Sequence, residues 1–182
     1  MPKQRNIITP LIIASALFME QLHGSIIATA LPTIAHDLHT SPLHLNLAIT
    51  SYMFSLAVFI PLSGWMADRF GARNIFRAAI VVFTLGSIAC GFSTDLTTLI
   101  LSRILQGAGG AMMVPVGRLV LLRTVPKSQL VDAMSWVTAP ALIGPVLGPP
   151  LGGLISTFAS WQWIFFVNIP MGVLGFILAG IY

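Results

Sequence analysis

Long apolar runs separated by short polar stretches fill the chain almost from its start to residue 182. Six are distinguished, at 7–31, 47–66, 74–92, 96–122, 130–155 and 162–182. Each is close to or above the roughly 20 residues that a helix rising about 1.5 Å per residue needs to cross a bilayer core. Helices are predicted because hydrocarbon offers backbone N–H and C=O groups no partners. A β-barrel would show short alternating segments, whereas these runs are continuous and rich in Leu, Ile, Ala and Gly. The predicted fold class is therefore all-α and integral to the membrane, one bundle of six transmembrane helices.

Composition strengthens this picture: 56% of residues are hydrophobic and 8% charged, against about 25% charged in a soluble domain. The pI near 10 suggests a nucleic-acid binder only until the charges are located. Lys3 and Arg5 precede the first run, Arg69, Arg73 and Arg77 surround the second loop, and Arg118, Arg123 and Lys127 surround the fourth. The intervening loops on the other side contain no Lys or Arg, which places both termini in the cytoplasm, in a bacterial inner membrane, with no nucleic-acid partner. Ala28-Thr29-Ala30 looks like a signal-peptidase site, but the run before it is too long and contains Glu20, Gln21 and His23, so the first helix is read as uncleaved. Trp161 and Trp163 are placed at a membrane interface as anchors. The single Cys90 permits no intramolecular disulfide, and His36, His39 and His44 beside Asp37 have no metal-site spacing, so neither metal nor cofactor is expected.

One constant shift carries Pro61-Leu62-Ser63-Gly64 onto Pro150-Leu151-Gly152-Gly153 and Ile75-Phe76 onto Ile164-Phe165. The same shift converts Asp68, Arg69, Arg73 and Arg77 into Thr157, Phe158, Gln162 and Phe166, as required if the second triplet is inverted and its matching loop lies outside. An inverted three-plus-three repeat follows, its units at about 7–92 and 96–182. Such a unit resembles one half of a major facilitator architecture. A C-terminal half is expected as its missing partner, with the lipid bilayer as surroundings.

Several motifs resemble that superfamily in the matching order. Gly64-Trp-Met-Ala-Asp68-Arg69-Phe-Gly71-Ala-Arg73 resembles its loop signature, and the resemblance implies a gating latch in which Asp68 pairs with Arg69, Arg73 or Arg118. Ala72 stands where the family usually carries another basic residue. Arg103-Ile-Leu-Gln106-Gly107 resembles the span-four Arg motif, implying proton or substrate coupling for Arg103 and substrate contact or Arg orientation for Gln106. An intramembrane Arg costs roughly 2.5 to 3.5 kcal/mol on insertion scales, so it must find a partner, a wet cavity or a route to the interface. Gly144, Pro145, Gly148, Pro149 and Gly152 resemble the antiporter signature of exporters, a packing and bending helix.

Trp161-Gln-Trp163-Ile-Phe-Phe-Val-Asn168-Ile-Pro170 and Ala30-Leu31-Pro32 narrow the resemblance to the fourteen-span drug:proton antiporters. This chain departs from that pattern where His23 replaces the usual proton-carrying acid and Ala28 a usual Asn. Glu20 lies three residues before His23, and the two are expected to form a protonatable pair on one face of the helix. The implied function is proton-driven export of amphipathic organic compounds by alternating access, needing a proton gradient and no cofactor. The rival readings are a metabolite facilitator without proton antiport and a half-length chain that packs against a full transporter. No nucleophile–base set or phosphate loop suggests an enzyme.

Overall fold

The computed structural model describes residues 5–181 and is all-helical, as the sequence predicts. Lys3 and Tyr182 lie outside the described residues. The helices are α1 (Arg5–Asp37), α2 (Pro42–Phe70), α3 (Ala72–Gly91), α4 (Leu96–Thr124), α5 (Leu130–Phe158), α6 (Trp163–Phe166) and α7 (Asn168–Ile181). Among the described residues six spans are long and apolar enough to cross a membrane, the sixth built from α6 and α7 together.

Local chemistry sets the ends. Ser41 caps α2 by accepting a hydrogen bond from the His44 N–H at 3.2 Å, and Pro42 follows at the first helical position, where an N–H would be spare. Asp95 caps α4, its Oδ1 accepting from the Thr98 N–H at 2.9 Å, and that bond holds its carboxyl below the usual carboxylate range. The loop expected between spans two and three shrinks to one residue, Gly71, whose φ of 87° lies in the region side chains avoid. Span six is not the single helix the sequence suggested: it breaks at Val167, because Pro170 has no N–H to offer the Phe166 carbonyl.

Helix α1 packs on α5, α2 on α4, and α3 on both α4 and α7. Exchanging the two triplets interchanges the first two pairings, the contact pattern of an inverted repeat. Glycines permit the close approaches. A Cβ at Gly86 would fall 2.5 Å from the Gln106 Cα, and one at Gly109 2.7 Å from the Phe83 Cα, so α3 and α4 touch backbone to backbone. Gly144, Gly148 and Gly152 form a buried stripe against Leu22, Ser25 and Ile26 of α1, while Pro145, Pro149 and Pro150 lie on the exposed side of an unbroken α5.

Two apolar clusters divide the bundle. One holds Met19, Phe83 and Met113, the other Ile26, Cys90 and Leu99. Between them, on α1, α3 and α4, the chain places Glu20, His23, Ser87, Arg103 and Gln106, so a buried polar layer is bracketed by grease on both sides. Trp161 does not anchor at an interface as expected. It is buried in the second cluster, edge-on to Phe165, from the turn that precedes α6, whereas Trp163 is exposed.

Candidate transport site

Arg103 sits at the centre of the polar layer and is 1% exposed, so it does not snorkel. Nη1 donates to the Nε2 of His23 and, at 2.6 Å, to the Oε1 of Gln106. Nε donates to the Ala48 carbonyl at 3.3 Å, and the guanidinium lies 4.1 Å from the centre of the Tyr52 ring. Among the described residues no carboxylate lies within ion-pair distance of Arg103. A buried cation is thus held by a lone pair, two carbonyl oxygens and a π face.

The spacing of Arg103 and Gln106 brings both side chains to one face of α4, and the Gly86 contact sets that face against α3. Gln106 Nε2 there donates to Ser87 Oγ. Asn168, the first residue of α7, closes the layer from span six, its amide lying 3.1 Å from His23 Nδ1 and 3.0 Å from Ser87 Oγ. Phe83, Phe165 and Tyr52 surround the His23 ring at 5.8, 5.2 and 6.5 Å.

Glu20 and His23, expected as one protonatable pair, take separate hydrogen-bond partners. Glu20 turns to α2, where the Tyr52 hydroxyl donates to its Oε1 at 3.3 Å, while its Oε2 is buried without a partner. His23 turns to α4, because Arg103 supplies donors that a helical neighbour cannot match. Tyr52 therefore stands between the two charges, hydroxyl toward the carboxylate and ring face toward the guanidinium.

At the end of the bundle that carries the basic residues, Asp68 does not pair with Arg69, Arg73 or Arg118. Its Oδ1 accepts from Arg123 Nη2 at 2.8 Å, joining the ends of α2 and α4, and Arg118 is exposed one turn further into α4. Arg73 instead donates to the Ala179 carbonyl at 3.0 Å and to the Gly180 carbonyl, tying α3 to the last turn of α7, where a cation suits the helix dipole. Arg69 stacks against Trp65 and Phe70, and Gly64 is exposed with open space around it. His36, His39 and His44 are exposed, and no group able to hold a metal occurs among the described residues.

Sequence reasoning gave no site role to Tyr52, Ser87, Asn168 or Arg123, although Asn168 stood in the span-six motif and Arg123 among the basic residues that set the orientation. The available signal for the first three was a polar group inside an apolar span. For Arg123 only the position of a helix end would have helped.

The sequence profile of the Major Facilitator Superfamily matches residues 13–182. The chain belongs to the major facilitator superfamily. It is thus a multi-pass membrane protein of a transporter family, surrounded by lipid, and not an enzyme. Relatives from Salmonella typhimurium and Salmonella enteritidis, proteins named for multidrug resistance, MdtD, are each 54% identical over 164 residues. That stretch is 90% of this chain and 35% of theirs, so the chain spans about a third of the length of these relatives. Two solved structures share the major facilitator fold. The inward-open xylose transporter XylE from E. coli superposes with a TM-score of 0.83 at 13% identity, covering 95% of this chain and 47% of that one. The proton:xylose symporter XylE bound to 6-bromo-6-deoxy-D-glucose gives 0.84 at 14%, covering 98% and 45%.

Proposed function

We propose that these residues form the N-terminal six-span half of a proton-coupled exporter of amphipathic organic compounds that works by alternating access with a C-terminal half. The observation that carries this reading is the buried contact between Arg103 and His23, in a chain similar to proteins named for multidrug resistance. The basic residues in one set of loops support a cytoplasmic N-terminus, and the bacterial relatives support an inner-membrane location. The energy source is the proton gradient, with no cofactor.

Arg103 has donors only, so it occupies the Nε2 lone pair of His23, the same lone pair an incoming proton must use. Proton and Arg103 exclude one another. Once protonated, the imidazolium faces a guanidinium, a repulsion of about 4 kcal/mol at 4 Å in an effective dielectric near 20. That repulsion drives α1 and α4 apart at the polar layer and changes the access of the cavity. Glu20, with one oxygen on Tyr52 and the other free, accepts a proton or a cationic group of the substrate. The pair Asp68–Arg123 and the Arg73 clamp hold the basic end in one state, and the glycine stripe of α5 is the bearing on which α1 moves.

The test is substrate-induced proton movement in proteoliposomes of the natural chain containing these residues, with Glu20→Gln and His23→Asn for comparison. Proton release on drug addition, lost in His23→Asn, is expected. Drug flux with no proton signal in the unaltered protein would show facilitated transport and refute the coupling.

A further inference from the structure

The hydrogen bonds of the polar layer determine one another. Arg103 Nη1 can only donate, so His23 Nε2 must accept and carries no hydrogen. A neutral imidazole then bears its hydrogen on Nδ1, which faces the Asn168 amide at 3.1 Å. Two donors cannot face each other, so the amide oxygen of Asn168, not its nitrogen, points at His23. The two ends of an amide are interchangeable by a half-turn that leaves the remaining geometry intact.

The same orientation resolves the next contact. Ser87 Oγ accepts from Gln106 Nε2, which leaves its hydroxyl hydrogen to donate, and the turned Asn168 oxygen at 3.0 Å receives it. Two routes now leave Arg103, one through His23 and one through Gln106 and Ser87, and every donor points away from the guanidinium. Both end on the two lone pairs of one oxygen, Asn168 Oδ1. With the amide nitrogen turned the other way, His23 would need to accept at both ring nitrogens, which only an imidazolate can do.

We infer that Asn168 is the positioning residue that accepts the Nδ1–H of the tautomer Arg103 imposes and so holds the His23 ring with its Nε2 lone pair facing Arg103 across the bundle, with Ser87 holding the Asn168 oxygen in place. The break in span six is what makes this possible. It ends α6 and starts α7 at Asn168, whose side chain is 1% exposed and reaches the layer from the fourth wall. The role in transport rests on the proton-coupled reading above, whereas the tautomer stands on hydrogen-bond geometry alone.

The experiment is nitrogen-15 NMR of the full natural chain in bilayers, labelled at histidine, with every other histidine, including His36, His39 and His44, replaced by glutamine. The resting protein is expected to show one species, hydrogen on Nδ1 and none on Nε2. Asn168→Asp, which keeps an acceptor and loses the donor, retains that species. Asn168→Leu, which loses both, leaves the Nδ1–H without an acceptor and frees the ring to turn away from Arg103, so that a second, Nε2–H species appears together with loss of the drug-induced proton signal. An Nε2–H species in the unaltered protein overturns the assignment even where Asn168→Leu fails to fold. A single Nδ1–H species persisting in a folded Asn168→Leu protein overturns the positioning role. The spectrum is recorded without drug or gradient, so it separates the two readings. An Nδ1–H spectrum in a protein that moves no protons sinks the coupling alone, and an Nε2–H spectrum in a working antiporter sinks the tautomer alone.

Discussion

Adjacent glycines in α5 provide a sharp test of the packing argument. A methyl group at Gly152 would lie 2.6 Å from the Ile26 carbonyl oxygen and would also strike the Thr29 hydroxyl, whereas one at Gly153 would meet nothing within 4 Å. The Ile26 oxygen is backbone in the middle of α1, so it cannot rotate away as a side chain would. Restoring ordinary contact requires α1 and α5 to separate by roughly 0.8 Å, and overpacking of this kind costs about 1 to 3 kcal/mol. Gly153→Ala removes backbone freedom from the unfolded chain at no steric cost and is expected to be neutral or stabilising by up to about 1 kcal/mol. Thermal unfolding of the natural chain in detergent, followed by tryptophan fluorescence, compares the two. Gly152→Ala should melt several degrees below the unaltered protein and Gly153→Ala at or above it. Equal melting temperatures for the two variants would refute the stripe as a tight seam.

Further expectations concern the polar layer and the helix ends. Gln106→Leu strips Arg103 and Ser87 of one partner each, leaving buried groups unsatisfied at about 1 to 3 kcal/mol apiece, and should lower the melting temperature more than the isosteric Gln106→Glu. A double-mutant cycle on Asp68 and Arg123, both more than half exposed, should give a coupling below about 1 kcal/mol in detergent, since exposed ion pairs contribute little. A larger value would identify a second partner. Asp95 has a depressed native carboxyl, so its capping contribution is present above the ordinary carboxylate range and is lost as the pH falls through the native value. The protection of the Thr98 amide, its exchange rate taken relative to the intrinsic rate at each pH, should therefore fall at acid pH in the unaltered protein and be low at all pH in Asp95→Ala.

The six spans and their inverted order were legible because membrane insertion is decided by summed hydropathy and by loop charge, both local properties of sequence. The all-round apolar character of the helices erases the periodicity that would say which face meets which neighbour. For that reason Arg103 was recognisable as needing a partner, yet the identity of that partner depended on how α1 turns. Spacing along α1 suggested that Glu20 and His23 would pair. Helical neighbours three apart do face alike, but Tyr52 and Arg103 on other helices supplied stronger complements. Arg123 displaced Arg118 as the partner of Asp68 because reach at a helix end depends on where α4 stops, at Thr124, and not on proximity in a motif. Gly71 stood inside the loop signature and Pro170 inside the span-six motif, yet a one-residue joint and an interrupted sixth span were not read from either, because both depend on how neighbouring helices pack.

A cation bound only by neutral groups also has an electrical meaning. Among the described residues no carboxylate lies within ion-pair distance of Arg103, so its charge meets the force of a transmembrane voltage without a contact partner to cancel it. One elementary charge crossing the whole field gains about 2.3 kcal/mol per 100 mV. Displacing Arg103 through a tenth of the field would bias two arrangements that differ in its depth by about 0.2 kcal/mol per 100 mV. A transmembrane potential would then act on the position of α4 itself, and a voltage step should draw a small transient current even with no substrate present.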